Sequence, residues 1–221
     1  MVATRPQTEN FKNRTNRVTE LIVHIIEDNA ANRELFQDLM DSVDLPWRSH
    51  ENAVKFLENF DEESTGCLIL DVRMPLMSGL QLMEQLADDE IDLPIILTTA
   101  HGDVPMAIQA MKMGAFDFQE KPINNQSLVE SVQRALEKRV SALNAADSIA
   151  GELEAFETLT ARERDVCGLV CNGAMNKQIA YDLGISQRTV EVHRANVMEK
   201  MGARNLADLI RMIIRIEEAQ G

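Results

Sequence analysis

The 221-residue chain predicts an α/β domain, a five-stranded doubly wound parallel sheet, followed by an all-α helix-turn-helix domain. Three observations predict it. Short apolar runs alternate with helical patterns over residues 20–140. That strand signal stops, and only helical periodicity continues to the C-terminus. Negative charge is concentrated in the first part of the chain.

The elements follow in order. Leu21 to Ile26 is an apolar run closed by Glu27-Asp28-Asn29, and Leu35, Phe36, Leu39 and Met40 then mark a helix face. Trp47 to Ser49 reads as a short strand, followed by a helix carrying Val54, Phe56 and Leu57. Cys67 to Leu70 is an apolar strand ended by Asp71; Leu80, Leu82, Met83 and Leu86 define the next helix. Pro94 to Leu97 is a further strand, Met106 to Met113 a helix stopped by Gly114, and Phe116 to Phe118 a last strand before Lys121-Pro122. Strands that are apolar throughout indicate a sheet covered on both faces, and such sheets bind ligands at the carboxyl ends of their strands.

The helix from Asn124 reads as long, merging into an Ala-rich helical linker interrupted near Gly151. Thr160 and Glu163 fit a capping box. Short helices follow, with stops at Gly173, Gly184 and Gly202. The expected domains are a flexible tail at 1–19, an α/β domain at 20–140, a linker at 141–156 and a helical domain at 157–221.

Composition narrows the function classes. The three cysteines do not make a disulfide framework, and a reducing cytoplasmic compartment fits. No apolar run nears the roughly 20 residues of a membrane span, so no membrane partner is expected. The net charge of −14 looks wrong for a nucleic-acid binder, but residues 153–221 hold nine Lys/Arg against ten Asp/Glu. From Thr160 to Ile216 the balance is nine to six, enough for a basic face toward phosphates.

Glu27, Asp28 and Asp71 converge if their strands are neighbours. Clustered carboxylates repel unless a cation joins them, and an oxygen-lined, water-open pocket suits Mg²⁺. Lys121 would add a fixed positive charge and Thr99 a hydroxyl, which together suit phosphoryl transfer to a carboxylate. Acids at strand ends also cap helices, and that plainer reading stands beside the chemical one.

The motifs Ile25-Ile-Glu-Asp-Asn29, Leu70-Asp-Val-Arg-Met-Pro75 with Ser78-Gly79, Thr99 to Pro105, and Glu120-Lys-Pro122 resemble the receiver domains of two-component response regulators over about residues 20–140. The resemblance implies that Asp71 accepts phosphate from a sensor histidine kinase. It implies Mg²⁺ bound by Asp28, by Glu27 through water, by Asp71 and by the Arg73 backbone carbonyl. Thr99 and Lys121 would bind the phosphoryl oxygens, Thr99 and Phe118 would act as the switch, and Lys121-Pro122 would be cis. Arg73 and His101 occupy positions that flank attacking water and would set the lifetime of the phosphate. Arg73 reads equally as a solvated loop residue.

Asn176 to Leu183, a turn at Gly184-Ile-Ser186, and Gln187 to Met198 form helix, turn, helix, with Ser186 suited to cap the second helix. With Leu159 to Arg164, this stretch resembles the effector domain of LuxR/NarL-type regulators, especially the FixJ group, over about residues 157–216. That resemblance implies a phosphorylation-dependent transcriptional regulator that dimerises, binds double-stranded promoter DNA and contacts RNA polymerase. Arg188, Glu191, Val192 and Ala195 would lie near base edges. Lys177, Thr189, Arg194 and Lys200 would be candidates for phosphate contact, although each cation also reads as a surface charge. His193 is expected to face inward and be hydrogen-bonded. Cys167 and Cys171, one helical turn apart, read as small buried hydrophobes rather than a redox pair. A rival reading is a phosphatase with Asp71 as nucleophile, but such enzymes commonly need a second acid where Arg73 stands. A non-enzyme is therefore expected.

Overall fold

The computed structural model describes residues 21–61, 65–100 and 104–220, so the expected tail at 1–19 and His101 lie outside the described residues. The chain divides into two compact units, Met1–Val140 and Ser141–Gly221.

In the first unit the strands are β1 (Leu21–Ile26), β2 (Trp47–His50), β3 (Thr65–Asp71), β4 (Ile95–Thr99) and β5 (Asp117–Glu120). Four helices alternate with them: α1 (Ala30–Asp41), α2 (Ala53–Asn59), α3 (Gly79–Asp88) and α4 (Val104–Lys112). All strand pairs are parallel, in the order β2-β1-β3-β4-β5. Side chains alternate across the sheet and build two cores. Val23, Ile25, Cys67, Ile69 and Ile96 pack against Phe36 and Met40 of α1 and against Leu128 and Val132 of α5 (Asn125–Glu157). Ile26, Leu68, Leu70 and Leu97 pack against Phe56, Leu82, Leu86 and Ala110 on the opposite face. The chain order reverses between β1 and β3, which leaves a crevice at their carboxyl ends. Met106 and Met113 pack on the core, whereas Ile108 and Met111 of α4 are about half exposed.

The interruption expected near Gly151 is absent: α5 is helical from Asn125 to Glu157. A glycine weakens a helix by roughly 1 kcal/mol but does not break it when its neighbours favour helix. The segment expected to be linker also contributes to a core. Leu153, Ala155 and Phe156 pack on the cluster of the second unit, and buried Glu152 pairs with Arg215.

The second unit contains α6 (Ala161–Cys171), α7 (Asn176–Leu183), α8 (Gln187–Met201) and α9 (Leu206–Gln220). Its core joins Cys167, Val197, Met201, Leu209 and Ile213, with a second cluster of Val166, Ile179 and Val190. The capping box is formed: Glu163 N donates to Thr160 Oγ1, and Thr160 N donates to the Glu163 carboxylate at 2.9 Å. Burial raises the Cys167 thiol to about 12 and raises Cys171 as well, so both are protonated, unreactive thiols at neutral pH.

Candidate functional site

Four strand ends assemble the pocket of the first unit. Glu27 and Asp28 follow β1, Asp71 ends β3, Thr99 ends β4 and Lys121 follows β5. Main-chain bonds lock these ends together: Val72 N donates to Thr98 O at 2.9 Å, and Lys121 N to Thr99 O at 2.7 Å. Glu27, Asp71 and Thr99 are buried, and Asp28 is exposed at the rim. Carboxylate oxygens of Glu27, Asp28 and Asp71 lie within 4.8 Å of one another. The Lys121 ammonium reaches into this cluster, donating to Asp71 Oδ1 and to Glu27 Oε2, each at 2.7 Å.

Loops on either side fix the two buried acids. Arg73 N donates to Asp71 Oδ2 at 3.0 Å, which sets the backbone of Arg73 beside that carboxylate while its side chain stays exposed. Gly79 N donates to Val72 O at 2.9 Å, and a Cβ at Gly79 would meet Asp71 O at 2.4 Å, so the Ser78-Gly79 pair is demanded by close packing. Ser78 caps α3 in a second capping box. On the β1 side, Asn32 donates to Glu27 Oε1 at 3.1 Å and Arg33 to the Glu27 carbonyl at 2.7 Å. The sequence reading missed both. A donor five or six residues past an acid, on the first turn of the next helix, is the signal that could have found them.

Burial raises the pKa of Glu27, against the pull of its hydrogen bonds from Lys121 and Asn32, and the Asp71 charge adds to the rise. Burial lowers the pKa of Lys121, but its bonds to Asp71 and Glu27 outweigh this and leave it raised and fully charged. One ammonium thus serves two carboxylates, and the cluster retains room for a second cation. The all-oxygen donor set, open at Asp28, fits a hard divalent ion that keeps several waters. Phe118 is half-buried against the core beside α4, and Lys121-Pro122 is cis.

The second candidate surface is α8. Arg188, Glu191, Val192 and Ala195 are all exposed on one face, and Lys177 is exposed on α7. Arg188 and Glu191 approach each other at 3.8 Å. Ser186 caps α8 through Thr189 N at 3.0 Å, with the two hydroxyls 2.8 Å apart, so Thr189 is held at the first turn. Gly184 closes α7 in the left-handed conformation, giving the tight turn between the helices. The other two cations singled out on α8 are engaged inside the unit. Arg194 Nη1 donates to Asn176 Oδ1 at 2.9 Å, and Lys200 Nζ to Glu163 Oε2 at 2.6 Å. His193 is half-buried, and its Nδ1 has no hydrogen-bond partner among the described residues, so any bond of the expected kind falls to Nε2. Periodicity places it inward but says nothing of what sits opposite.

Residues 23–133 match the family model of the response regulator receiver domain, and residues 157–213 that of the bacterial regulatory proteins of the luxR family. The chain is 43% identical over 197 residues to the transcriptional regulatory protein FixJ of Rhizobium meliloti strain 1021, covering 89% of this chain and 97% of that one. Among solved structures it is similar to the response regulator StyR, with 39% identity and a TM-score of 0.78 over 89% of this chain and 99% of StyR. It is also similar to full-length FixJ from B. japonicum, with 35% identity and a TM-score of 0.55 over 91% of this chain and 99% of that one.

Proposed function

Because the chain belongs to the LuxR-family response regulators, phosphorylation-dependent DNA-binding regulators of transcription, we propose that its input is phosphate on Asp71, taken from a sensor histidine kinase. The observation that carries this is the buried Asp71 carboxylate, held 2.7 Å from Lys121 within the three-acid oxygen cluster. In the transfer, an Asp71 oxygen forms the new bond to phosphorus as the bond to the donor imidazole breaks. Asp71, Asp28, the Arg73 carbonyl and, through water, Glu27 would hold Mg²⁺, which would supply positive charge beside the transferring group. Lys121 supplies the second positive charge, and Thr99 accepts the product by hydrogen bonding to its phosphoryl oxygens. Exposed Arg73 is not a second acid, so the pocket stores phosphate rather than turning it over. Arg73 and His101 set how long it is stored.

The output follows from population shift. Phosphate draws Thr99 inward and repositions Phe118, favouring a dimer through the α4 and β5 surface, where exposed Ile108 and Met111 offer apolar contact. Two effector units at fixed spacing bind a roughly palindromic site better than one. Residues Arg188, Glu191, Val192 and Ala195 face base edges in the major groove, with Lys177 and Thr189 on phosphates, and the bound dimer engages RNA polymerase in the cytoplasm. Sedimentation of the full chain with Mg²⁺ and beryllofluoride, beside Asp71→Asn, tests the switch. Wild type is expected to shift from monomer to dimer and the variant to stay unchanged. A variant that shifts equally would place the trigger elsewhere.

A further inference from the structure

The cations of α8 fall into two sets. At 3.6 residues per turn, Arg188, Glu191, Val192 and Ala195 centre on one face, and Arg194 and Lys200 lie about 120° round from that centre, one on each side. Their charged heads bond within the unit, although the Lys200 side chain keeps 34% of its surface exposed. The Arg194 stem lies in the wall of an apolar cleft with Val166 and Val170 of α6 and Val197 of α8, and its head donates to Asn176, the first residue of α7. Met175 at the N-cap makes no side-chain capping bond, so the Arg194–Asn176 bond gives this helix start a side-chain tie that its cap does not. Lys200 donates to the buried Glu163 carboxylate at 2.6 Å and to Thr158 O at 3.3 Å. That carboxylate closes the α6 capping box, and its bond from Lys200 is the main reason its pKa falls to about 2.

We infer that Arg194 and Lys200 are positioning residues, two struts that fix the pitch of α8 against α7 and α6, and not phosphate contacts. The inference rests on α8 being the DNA-reading helix. Its physical basis is that a helix presenting four side chains to base edges must hold its rotation about its own axis. Small rotations would move all four together. The apolar core restrains α8 along one line, whereas the two polar ties flank that line and oppose rotation in either sense. A cation already bonded inside the unit would lose that bond on turning to a phosphate, so neither contributes to the counterion release that makes DNA binding salt-dependent.

The salt dependence separates the two roles. A duplex is selected from a random pool by the beryllofluoride-activated full chain, and binding to it and to a scrambled duplex is measured from 50 to 200 mM salt. Lys177→Ala is expected to weaken both duplexes similarly and to flatten the salt slope by about one phosphate per protomer. Arg194→Met and Lys200→Met are expected to weaken the selected duplex at least tenfold and the scrambled one much less, with the salt slope unchanged. A slope reduced as in Lys177→Ala would overturn the inference. Asn176→Ala guards against a misfolded Arg194 variant, because it keeps the arginine and removes its acceptor. It is expected to reproduce the Arg194→Met loss, with no further loss in the double variant. Wild-type binding by Asn176→Ala would also overturn the inference. A wild-type chain that enriches no duplex would remove the premise that α8 reads DNA, and the inference with it.

Discussion

Asp71 and Glu27 are 5% and 1% exposed, whereas the side chains of Arg188 and Glu191 keep 88% and 55% of their surface. The first unit assembles its chemistry from four strand ends and encloses it. The second displays its chemistry along one helix and keeps it open. A phosphoryl transfer needs charges fixed in a site of low effective dielectric, where each is worth more than in water. A DNA-reading face needs side chains that meet a partner still to arrive. The same contrast governs how each unit responds to protons, to added volume and to lost hydrogen bonds.

The largest expected effect is on acid stability, and it divides the units. His24 is 1% exposed, stacked beside His50 and edge-on to Phe56 and Phe60. Burial, reinforced by the charges of His50 and Arg48, lowers its pKa from 6.5 to about 4. The unfolded chain therefore binds a proton below pH 6.5 that the folded unit does not bind until about pH 4. Stability is complete above 6.5 and is lost as pH falls through that window, by about 3 kcal/mol for this residue. His50, also lowered by burial, adds in the same direction, while Glu27, raised by burial, opposes it. Glu163 in the second unit has its pKa lowered from 4.5 to about 2, chiefly by Lys200, so its contribution is retained down to pH 4.5 and lost only below. The single tryptophan, Trp47, lies in β2, so its fluorescence reports urea unfolding of the first unit alone. Between pH 6.5 and 4.5 the Trp47 midpoint is expected to fall, and the fall should shrink in His24→Leu. An equal fall in both proteins would show that His24 is not the group responsible.

A comparison of two glycines gives a somewhat smaller effect. At Gly79 an added Cβ would lie 2.4 Å from Asp71 O and 3.1 Å from Val72 Cα, and these backbone atoms have little room to give. Gly79→Ala is expected to cost about 1–3 kcal/mol and to slow phosphorylation by acetyl phosphate at least tenfold, because the backbone that must move includes Asp71 at the end of β3. At Gly168, inside α6, nothing lies within 4 Å of the position. Gly168→Ala is expected to stabilise the second unit by roughly 0.5–1 kcal/mol through helix propensity. Thermal melts of the two variants, with phosphorylation rates, check the contrast. Unimpaired phosphorylation in Gly79→Ala would mean that the β3–α3 connection is softer than its packing indicates.

How much of each unit is legible in sequence follows from the same difference. The pocket is long-range in the chain, yet Glu27, Asp28, Asp71 and Thr99 sit at the ends of largely apolar strands and Lys121 follows the short polar strand β5, and a parallel sheet brings such ends together. Strand boundaries made their convergence readable on the condition that the strands are neighbours, which the order β2-β1-β3-β4-β5 meets. The outward face of α8 was equally readable, since Arg188, Glu191, Val192 and Ala195 follow helical spacing and are all exposed. What spacing does not reveal is the partner of a flanking cation. Arg194 and Lys200 sit at the margin of the stripe, and only the packing of α6 and α7 against α8 brings Asn176 and Glu163 to meet them. Gly151 was overread for the opposite reason: a local helix breaker was given more weight than the helix formers around it and the packing of Leu153 and Phe156.

The smallest predicted effect tests whether the second unit is braced or merely packed. Thr160 makes three contacts with Glu163: its N donates to Oε2 at 2.9 Å, its hydroxyl to Oε2 at 3.0 Å, and it accepts from Glu163 N at 3.3 Å. Thr160→Ala removes the two hydroxyl contacts and keeps the main-chain one. Loss of an N-cap costs about 1 kcal/mol. Lys200 remains bonded to the same Glu163 oxygen, so α6 should stay docked on α8 and the loss should not exceed that of a lone cap. In Lys200→Met the Glu163 carboxylate keeps only the weaker tie to Asn196 beyond the cap, and adding Thr160→Ala should then cost more than it does in wild type. A double-mutant cycle followed by thermal melts reads this coupling. Strict additivity would mean that Glu163 holds the cap and the strut independently.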